Sequence, residues 1–314
     1  MSLPVFILIS LILLLLISGG YVFVMACCAK KNVDWLDETW VRKTPYGMYH
    51  EYIRASHAWL KEKNAQNVYI TSCDGLRLHG FWIPAKQPVG TVLMAHGYRS
   101  TMLLDFHLPF ELFHRLGFNI LVPEQRTHGE SQGRFITFGV KESRDMAAWL
   151  KYYDRQLGNW PVVLYGISMG ASTMLYLADR SLPGDVRGII ADCGFTSPRD
   201  IIASVYRRVI HLPPEVSLWV TGMLARVVAG FGLKEKDTTK ILKRSRYPVL
   251  FIHGEDDGFV PCEMTRKAYE ACRGEKKMFL VAGADHGLSF LVDGYGYTAA
   301  VMDFLNDINI DRRE

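Results

Sequence analysis

Ser168 lies at the centre of Gly166-Ile167-Ser168-Met169-Gly170, with the apolar run Val162-Val163-Leu164-Tyr165 leading in and Ala171 to Leu177 leading out. A strand, a sharp turn and a helix in that order thrust the central hydroxyl above a sheet edge. Small residues at 166, 170 and 171 let strand and helix approach without a clash. A serine hydroxyl is a poor nucleophile until a base removes its proton as it attacks. The chain supplies a candidate base in His286, within Ala282-Gly283-Ala284-Asp285-His286-Gly287 after the apolar run Met278 to Val281. Between the two, Val249-Leu250-Phe251-Ile252-His253-Gly254 opens into Glu255-Asp256-Asp257-Gly258, where Asp256 and Asp257 both offer a carboxylate to orient an imidazole. Serine, carboxylate and histidine together can carry out acyl transfer through a covalent serine intermediate.

Each of the three follows the carboxyl end of an expected strand. Asn67 to Ser72 and Leu76 to Pro84 flank Asp74-Gly75, the pattern of an antiparallel hairpin. Strands are then expected at Thr91–Ala95, 119–122, 161–165, 188–191, 248–252 and 277–281, separated by helical patterns. Alternation of this kind implies a mostly parallel, eight-stranded sheet with helices on both faces. Met146, Trp149, Leu150 and Tyr153 share one stripe of a helix ended by Gly158-Asn159. From about 196 to 247 the strand rhythm stops. Ser197-Pro198-Arg199-Asp200 starts one helix and Pro213-Pro214 a second, rich in apolar residues from Val216 to Phe231. This insert reads as a helical lid whose underside lines an apolar pocket, or else as helices packed on the sheet in the ordinary way.

The order Ser, Asp, His is that of an α/β-hydrolase and differs from the orders of chymotrypsin-like and subtilisin-like proteases. Residues 66–310 resemble that superfamily, and within it the serine aminopeptidase-like or BEM46-like group. His96-Gly97-Tyr98 is similar to the family's HG oxyanion loop. Pro123 to Ser131 resembles DxRGHGxS, with Glu124 in place of Asp and Thr127 in place of Gly, and His253 to Pro261 resembles HGxxDxxVP. The resemblance selects Asp257 over Asp256 as the acid, reads His128 and His253 as structural, and implies backbone N–H donors from Tyr98 and Met169 for the oxyanion; Asp285 is read as structural because adjacent side chains leaving a loop point in different directions.

Residues 1–29 carry no charged side chain, and Leu3 to Met25 is almost wholly apolar. At about 1.5 Å per residue such a run exceeds a hydrocarbon core of roughly 30 Å and reads as one transmembrane helix. A cleaved signal peptide is the alternative, although no basic residue precedes the run. Lys30 and Lys31 place the carboxyl side in the cytoplasm; lipidation of Cys27 or Cys28 is a further option, and a lipoprotein processed there would have the opposite topology. The aromatic segment 30–65 is expected at the bilayer surface or against the domain.

With 49% apolar residues the 314-residue chain can bury one large domain, and a net charge of +4 without basic clusters argues against a nucleic-acid partner. The six cysteines form no CxxC pair, and no motif for a metal or organic cofactor occurs. The expectation is therefore a membrane-anchored serine hydrolase of an ester or related acyl substrate. A peptidase and a non-catalytic binding protein on the same fold are the alternatives.

Overall fold

Eight short apolar runs pair into one sheet in the order β1-β2-β4-β3-β5-β6-β7-β8. The structure, a computed structural model, describes residues 3–29, 36–37, 39, 43, 47–211 and 213–310, without the side chains of 8, 9, 11, 12 and 48. Lys30, Lys31, Trp35, Trp40 and Tyr46, on which the expected orientation and part of the surface segment rested, lie outside the described residues. The strands are β1 (Gln66–Thr71), β2 (Arg77–Ile83), β3 (Gly90–Ala95), β4 (Phe118–Pro123), β5 (Val162–Ile167), β6 (Val186–Asp192), β7 (Val249–Gly254) and β8 (Lys276–Val281). Strand β2 runs antiparallel to β1 and β4, and every other pairing is parallel. Every residue of β3, β4, β5 and β7 is buried, as sheets covered on both faces require.

The covering helices are α1 (Leu3–Cys27), α2 (His50–Glu62), α3 (Met102–Asp105), α4 (His107–Arg115), α5 (Glu142–Tyr152), α6 (Met169–Leu175), α7 (Pro198–Ile210), α8 (Glu215–Leu224), α9 (Thr238–Leu242), α10 (Cys262–Ala271), α11 (Ser289–Val292) and α12 (Gly294–Asp307). One face of the sheet packs on α5, α6, α9 and α10 through Trp149, Met174, Leu242 and Ala268. The other packs on α2, α4 and α12 through Leu60, Phe110, Phe113, Val301 and Phe304. Helix α5 presents Met146, Trp149 and Leu150 inward as its spacing predicts, then widens into a looser turn over Tyr153–Leu157 that stops at Gly158.

The insert between β6 and β7 is helical. Ser197 Oγ accepts the Asp200 N–H at 3.1 Å and Pro198 takes the first turn, so α7 starts where its sequence directs. Helix α8 has two apolar faces. Leu218 and Val220 are buried, whereas Val216, Trp219 and Met223, with Val227 beyond the helix end, are exposed.

The amino-terminal helix corrects the sequence reading. Helix α1 is continuous over 25 residues, yet among the described residues no helix is long and apolar enough to cross a membrane. Its last third is committed to the domain rather than free on all sides. Gly19 brings α1 against α8, where a Cβ would lie 2.4 Å from Val220 Cβ. Ser18 Oγ meets Ser217 Oγ at 2.8 Å, and Thr221 Oγ1 donates to the Gly19 carbonyl at 3.0 Å. Phe23 and Cys27 are buried in a third apolar cluster with Ile136, Phe138, Met169, Ile201 and Leu218. The span expected over residues 1–29 is thus not supported as an independent unit.

The approach of β5 to α6 depends on bare backbone. A Cβ on Gly170 would fall 1.7 Å from the Ala95 carbonyl oxygen, whereas one on Gly222 meets nothing nearer than 3.5 Å. Gly170→Ala is expected to cost about 3 kcal/mol or more, because a backbone clash cannot relax by side-chain rotation. Gly222→Ala, in a helix interior, is expected to be neutral or to gain up to about 1 kcal/mol. Urea denaturation of the two variants beside wild type measures both.

Candidate active site

Ser168 adopts φ 57° and ψ −117°, a conformation that a residue with a Cβ rarely takes, at the junction of β5 and α6. The turn is held by the Ser168 N–H, which donates to the Asp192 carbonyl at 2.8 Å. Ser168 Oγ then lies 2.9 Å from His286 Nε2, and His286 Nδ1 lies 2.7 Å from Asp257 Oδ2. The structure therefore brings together the three side chains chosen from the sequence, from the ends of β5, β7 and β8. Asp256, the other carboxylate considered, is exposed. Asp285 Oδ1 accepts the Gly258 and His286 N–H groups at 2.8 and 2.7 Å and so ties the two loops together.

Asp257 is enclosed by donors. Oδ1 accepts the Phe259 and Val260 N–H groups at 2.8 and 2.7 Å. Oδ2 lies within 3.1 Å of His253 Nε2 besides its bond to His286. Burial works against ionisation, but hydrogen bonds and charge from His253 and His286 outweigh it and hold the carboxyl well below the usual carboxylate range. An ionised Asp257 accepts a hydrogen bond from the Nδ1–H of His286 and so fixes the tautomer, which leaves Nε2 as the acceptor for the Ser168 hydroxyl.

Tyr98 and Met169, the two expected oxyanion donors, flank Ser168 in space. Tyr98 lines the same cavity as Ser168, and Met169 opens α6, where its N–H has no carbonyl within the helix. The loop carrying Tyr98 is built on neutral histidines. His96 Nδ1 donates to the Gly97 carbonyl at 2.9 Å, and Nε2 accepts the Gln125 N–H at 3.0 Å. His128 Nδ1 faces the Arg126 carbonyl at 3.0 Å while Nε2 accepts the Arg99 N–H at 3.1 Å. Burial, with His128 close by, pushes His96 down to about 3, and burial also lowers His128. Both rings are engaged in holding backbone, the role the sequence reading gave to His128. Thr127, standing where the family pattern has Gly, takes a positive φ of 73°.

A scan against family models matches residues 90–217 to the α/β-hydrolase fold, a span that includes Ser168 but neither Asp257 nor His286. The membrane protein YNL320W of Saccharomyces cerevisiae is 27% identical over 252 residues, 79% of this chain and 80% of that protein. Protein bem46 of Schizosaccharomyces pombe is 25% identical over 229 residues, covering 72% and 70% of the respective chains. The chain has the α/β-hydrolase fold and is similar to BEM46-like proteins. Among solved structures, the Pyrococcus furiosus esterase Pf2001 superposes with a TM-score of 0.64 at 22% identity, over 79% of this chain and 92% of that one.

In this α/β-hydrolase fold the cavity above Ser168 has a volume of about 450 Å³. Its walls include Tyr49 and Tyr52 from α2 and the turn before it, Leu104 and Leu108, Phe259, and Phe290 with Leu291. No described residue of 196–247 is among these walls, an arrangement that fits helices packed in the ordinary way rather than a lid whose underside lines this cavity. That underside is already taken by the third apolar cluster and α1. The segment 30–65, expected at a bilayer surface or against the domain, supplies the cavity wall instead through its described part.

Two residues of the site carried no sequence signal. Asp105 accepts the Gly97 N–H and the Ser100 hydroxyl, each at 2.6 Å, and so braces the loop carrying Tyr98 from eight residues away. Arg99, with φ 51°, follows Tyr98 in that loop. His253 was visible in its motif, but its contact with Asp257 was not. Cys193, Asp257 and His286 hold possible metal donor atoms within 4.8 Å of one another. Burial keeps the Cys193 thiol neutral, and the other two donors are engaged with each other and with Ser168, so the set fits a hydrogen-bonded relay better than a cation.

Asp192, beneath the elbow, is the opposite of Asp257. Among the described residues its carboxylate accepts one bond, from Tyr297 Oη at 3.1 Å, and its buried Oδ1 has no partner. Burial lifts its pKa from 3.8 to about 6. The native state then holds a proton that the unfolded chain releases, so this group's stabilisation is complete below about pH 4 and is lost as pH rises through about 6. The change is on the order of 3 kcal/mol for a shift of this size. Unfolding midpoints of wild type and Asp192→Asn between pH 4 and 7 are expected to diverge, wild type losing stability relative to the variant as pH rises.

Proposed function

We propose that this α/β-hydrolase cleaves a carboxylic ester, or a related acyl compound, through an acyl-enzyme on Ser168. The observation that carries the reading is the continuous chain of short contacts from Ser168 Oγ through the His286 ring to Asp257 Oδ2. In this scheme Oγ attacks the substrate carbonyl carbon while Nε2 takes the hydroxyl proton, and the negative charge gathers on the former carbonyl oxygen. The backbone N–H groups of Met169 and Tyr98 stabilise that oxyanion, and the imidazolium returns its proton to the departing alcohol. Water then attacks the acyl-enzyme by the same route in reverse, restoring Ser168 and releasing the acid.

The cavity favours an acyl chain over a peptide amino terminus. Leu104, Leu108, Ile167, Phe290 and Leu291 supply apolar walls. An aminopeptidase needs a carboxylate to hold the free amine. Asp105, the one carboxylate among the lining residues, already accepts two hydrogen bonds, and burial lifts its pKa to about 6. The intact relay likewise supports turnover over a purely binding role.

Attachment to a lipid bilayer belongs to the same proposal. Leu3, Val5, Phe6 and Ile7, then Leu13, Leu14, Leu15, Leu16 and Ile17, stand exposed on α1. Trp219, Met223 and Val227 extend that apolar surface along α8 and the turn beyond, which pack against α1. A surface of this size is unusual on a protein wholly in water.

A fluorophosphonate probe is expected to label wild type and to leave Ser168→Ala unlabelled. That variant, still folded, is expected to lose at least about 10³-fold in ester hydrolysis. Hydrolysis retained by the pure variant would remove Ser168 from the mechanism. For the bilayer contact, brominated lipids in proteoliposomes are expected to quench Trp219 emission, measured as the difference between wild type and Trp219→Phe. An unquenched Trp219 would detach α8 from the membrane surface.

A further inference from the structure

We propose that the carboxyl-terminal end of α1 is a positioning element of the hydrolytic site, holding the oxyanion loop through the side chains of Tyr98 and Arg99. The inference rests on the serine hydrolase reading above and extends it to a part of the chain that the reading uses only as an attachment.

A helix ends with carbonyls that find no partner within it, and the negative end of its dipole attracts cations. The last carbonyls of α1 meet these demands at the oxyanion loop. Tyr98 Oη donates to the Ala26 carbonyl at 2.9 Å and lies 3.3 Å from that of Met25. Arg99 Nη2 donates to the Cys28 carbonyl at 2.9 Å, the one hydrogen bond of that guanidinium among the described residues. The guanidinium also lies 5.0 Å from the centre of the Tyr98 ring, which stacks on Phe138 at 5.3 Å. The same end of α1 is paired with the segment leading to Phe138. Ala29 N–H donates to the Arg134 carbonyl at 2.9 Å, and Ile136 N–H to that of Cys27 at 2.8 Å.

The loop needs such a hold. Arg99 sits at φ 51°, which a residue with a long side chain adopts only when its surroundings impose it. His96, His128 and Asp105 fix the backbone of the loop from within the domain, while the side chains of Tyr98 and Arg99 are fixed from α1. The N–H expected to meet the oxyanion belongs to Tyr98 itself, so a displacement of its side chain moves a donor whose value depends on tenths of an ångström. The position of α1 is set in turn by the contact of Gly19 with Val220.

Two adjacent glycines separate this role from a general loss of stability. A Cβ at Gly19 would strike Val220, whereas one at Gly20 meets nothing within 4 Å, and alanine raises helix propensity equally at both. The full-length chain in detergent, assayed on a short-chain nitrophenyl ester, is the test. Gly19→Ala and Tyr98→Phe are each expected to lower kcat by about 10-fold or more with KM within about 2-fold, the pattern of an interaction made in the transition state. Gly20→Ala should match wild type. The double variant Gly19→Ala/Tyr98→Phe should be no slower than the slower single variant, because both act through one contact.

Wild-type kcat in either single variant, a loss expressed only in KM, or losses that multiply in the double variant would overturn the inference. If Gly19→Ala does not fold, Tyr98→Phe alone and combined with Arg99→Gln decides the matter. Neither change disturbs the seat of α1 at Gly19, and unchanged kcat in both would overturn the inference. A wild-type chain that neither hydrolyses the ester nor takes the fluorophosphonate would overturn the hydrolase reading itself, and this inference with it. An active wild type with unaffected variants would overturn the inference alone.

Discussion

The turn at Ser168 is the constraint to which the rest of the molecule conforms. A residue with a side chain is held at φ 57° between a fully buried strand and a fully buried helix. Such a conformation costs of order 1–3 kcal/mol and persists only where the surroundings over-determine it. Here they do. Cβ atoms at Gly166 and Gly170 would overlap backbone at 2.3 and 1.7 Å, so the elbow is closed as far as the chain permits. The N–H of Ser168 is tied to the next strand through the Asp192 carbonyl. With β5 between β3 and β6 in the sheet, the hydroxyl stands among loops that leave the same edge, and those loops bring the oxyanion segment and the imidazole to it.

Electrostatics at that edge follows from how many donors each buried carboxylate meets. Asp257 and Asp192 end or follow neighbouring strands, and both are buried. Asp257 meets two backbone N–H groups and two imidazoles, which favour its charged form. Asp192 meets one tyrosine hydroxyl, which does not offset desolvation. Residue type is the same and burial similar, yet their pKa values move in opposite directions. The difference suits the proposed chemistry, in which the carboxylate under the imidazole stays ionised.

The amino-terminal helix gives the molecule its second organising contact. Helix α8 has an inner and an outer apolar face, and α1 claims part of the inner side where Gly19 permits backbone approach. That occupancy is why the insert between β6 and β7 does not roof the cavity and why the wall falls to Tyr49, Tyr52 and the α11 side chains. Because the end of α1 also meets Tyr98 and Arg99, one helix joins an exposed apolar surface with the loop that carries the expected oxyanion donor.

Much of this was legible in the residues. Period-two and continuous apolar runs marked all eight strands, Asp74-Gly75 marked the hairpin, Ser197-Pro198 marked the start of α7, and Ser168, Asp257 and His286 stood out at strand ends. Those signals are local, since propensity, turn chemistry and strand-end position act over a few residues. What lay beyond reach were the meetings between distant segments. The bracing of Gly97 by Asp105, the contact of His253 with Asp257 and the grip of α1 on Tyr98 depend on which backbones come within 3 Å, and no short window records that. Residues 1–29 show the division most clearly. Their apolar composition alone determined a long helix seeking an apolar environment. Only the tertiary structure decided that from Ser18 onward one face of the helix, carrying Gly19, Phe23 and Cys27, finds this environment in protein, because Gly19 and Val220 fit together and carbonyls at the helix end find donors in the domain.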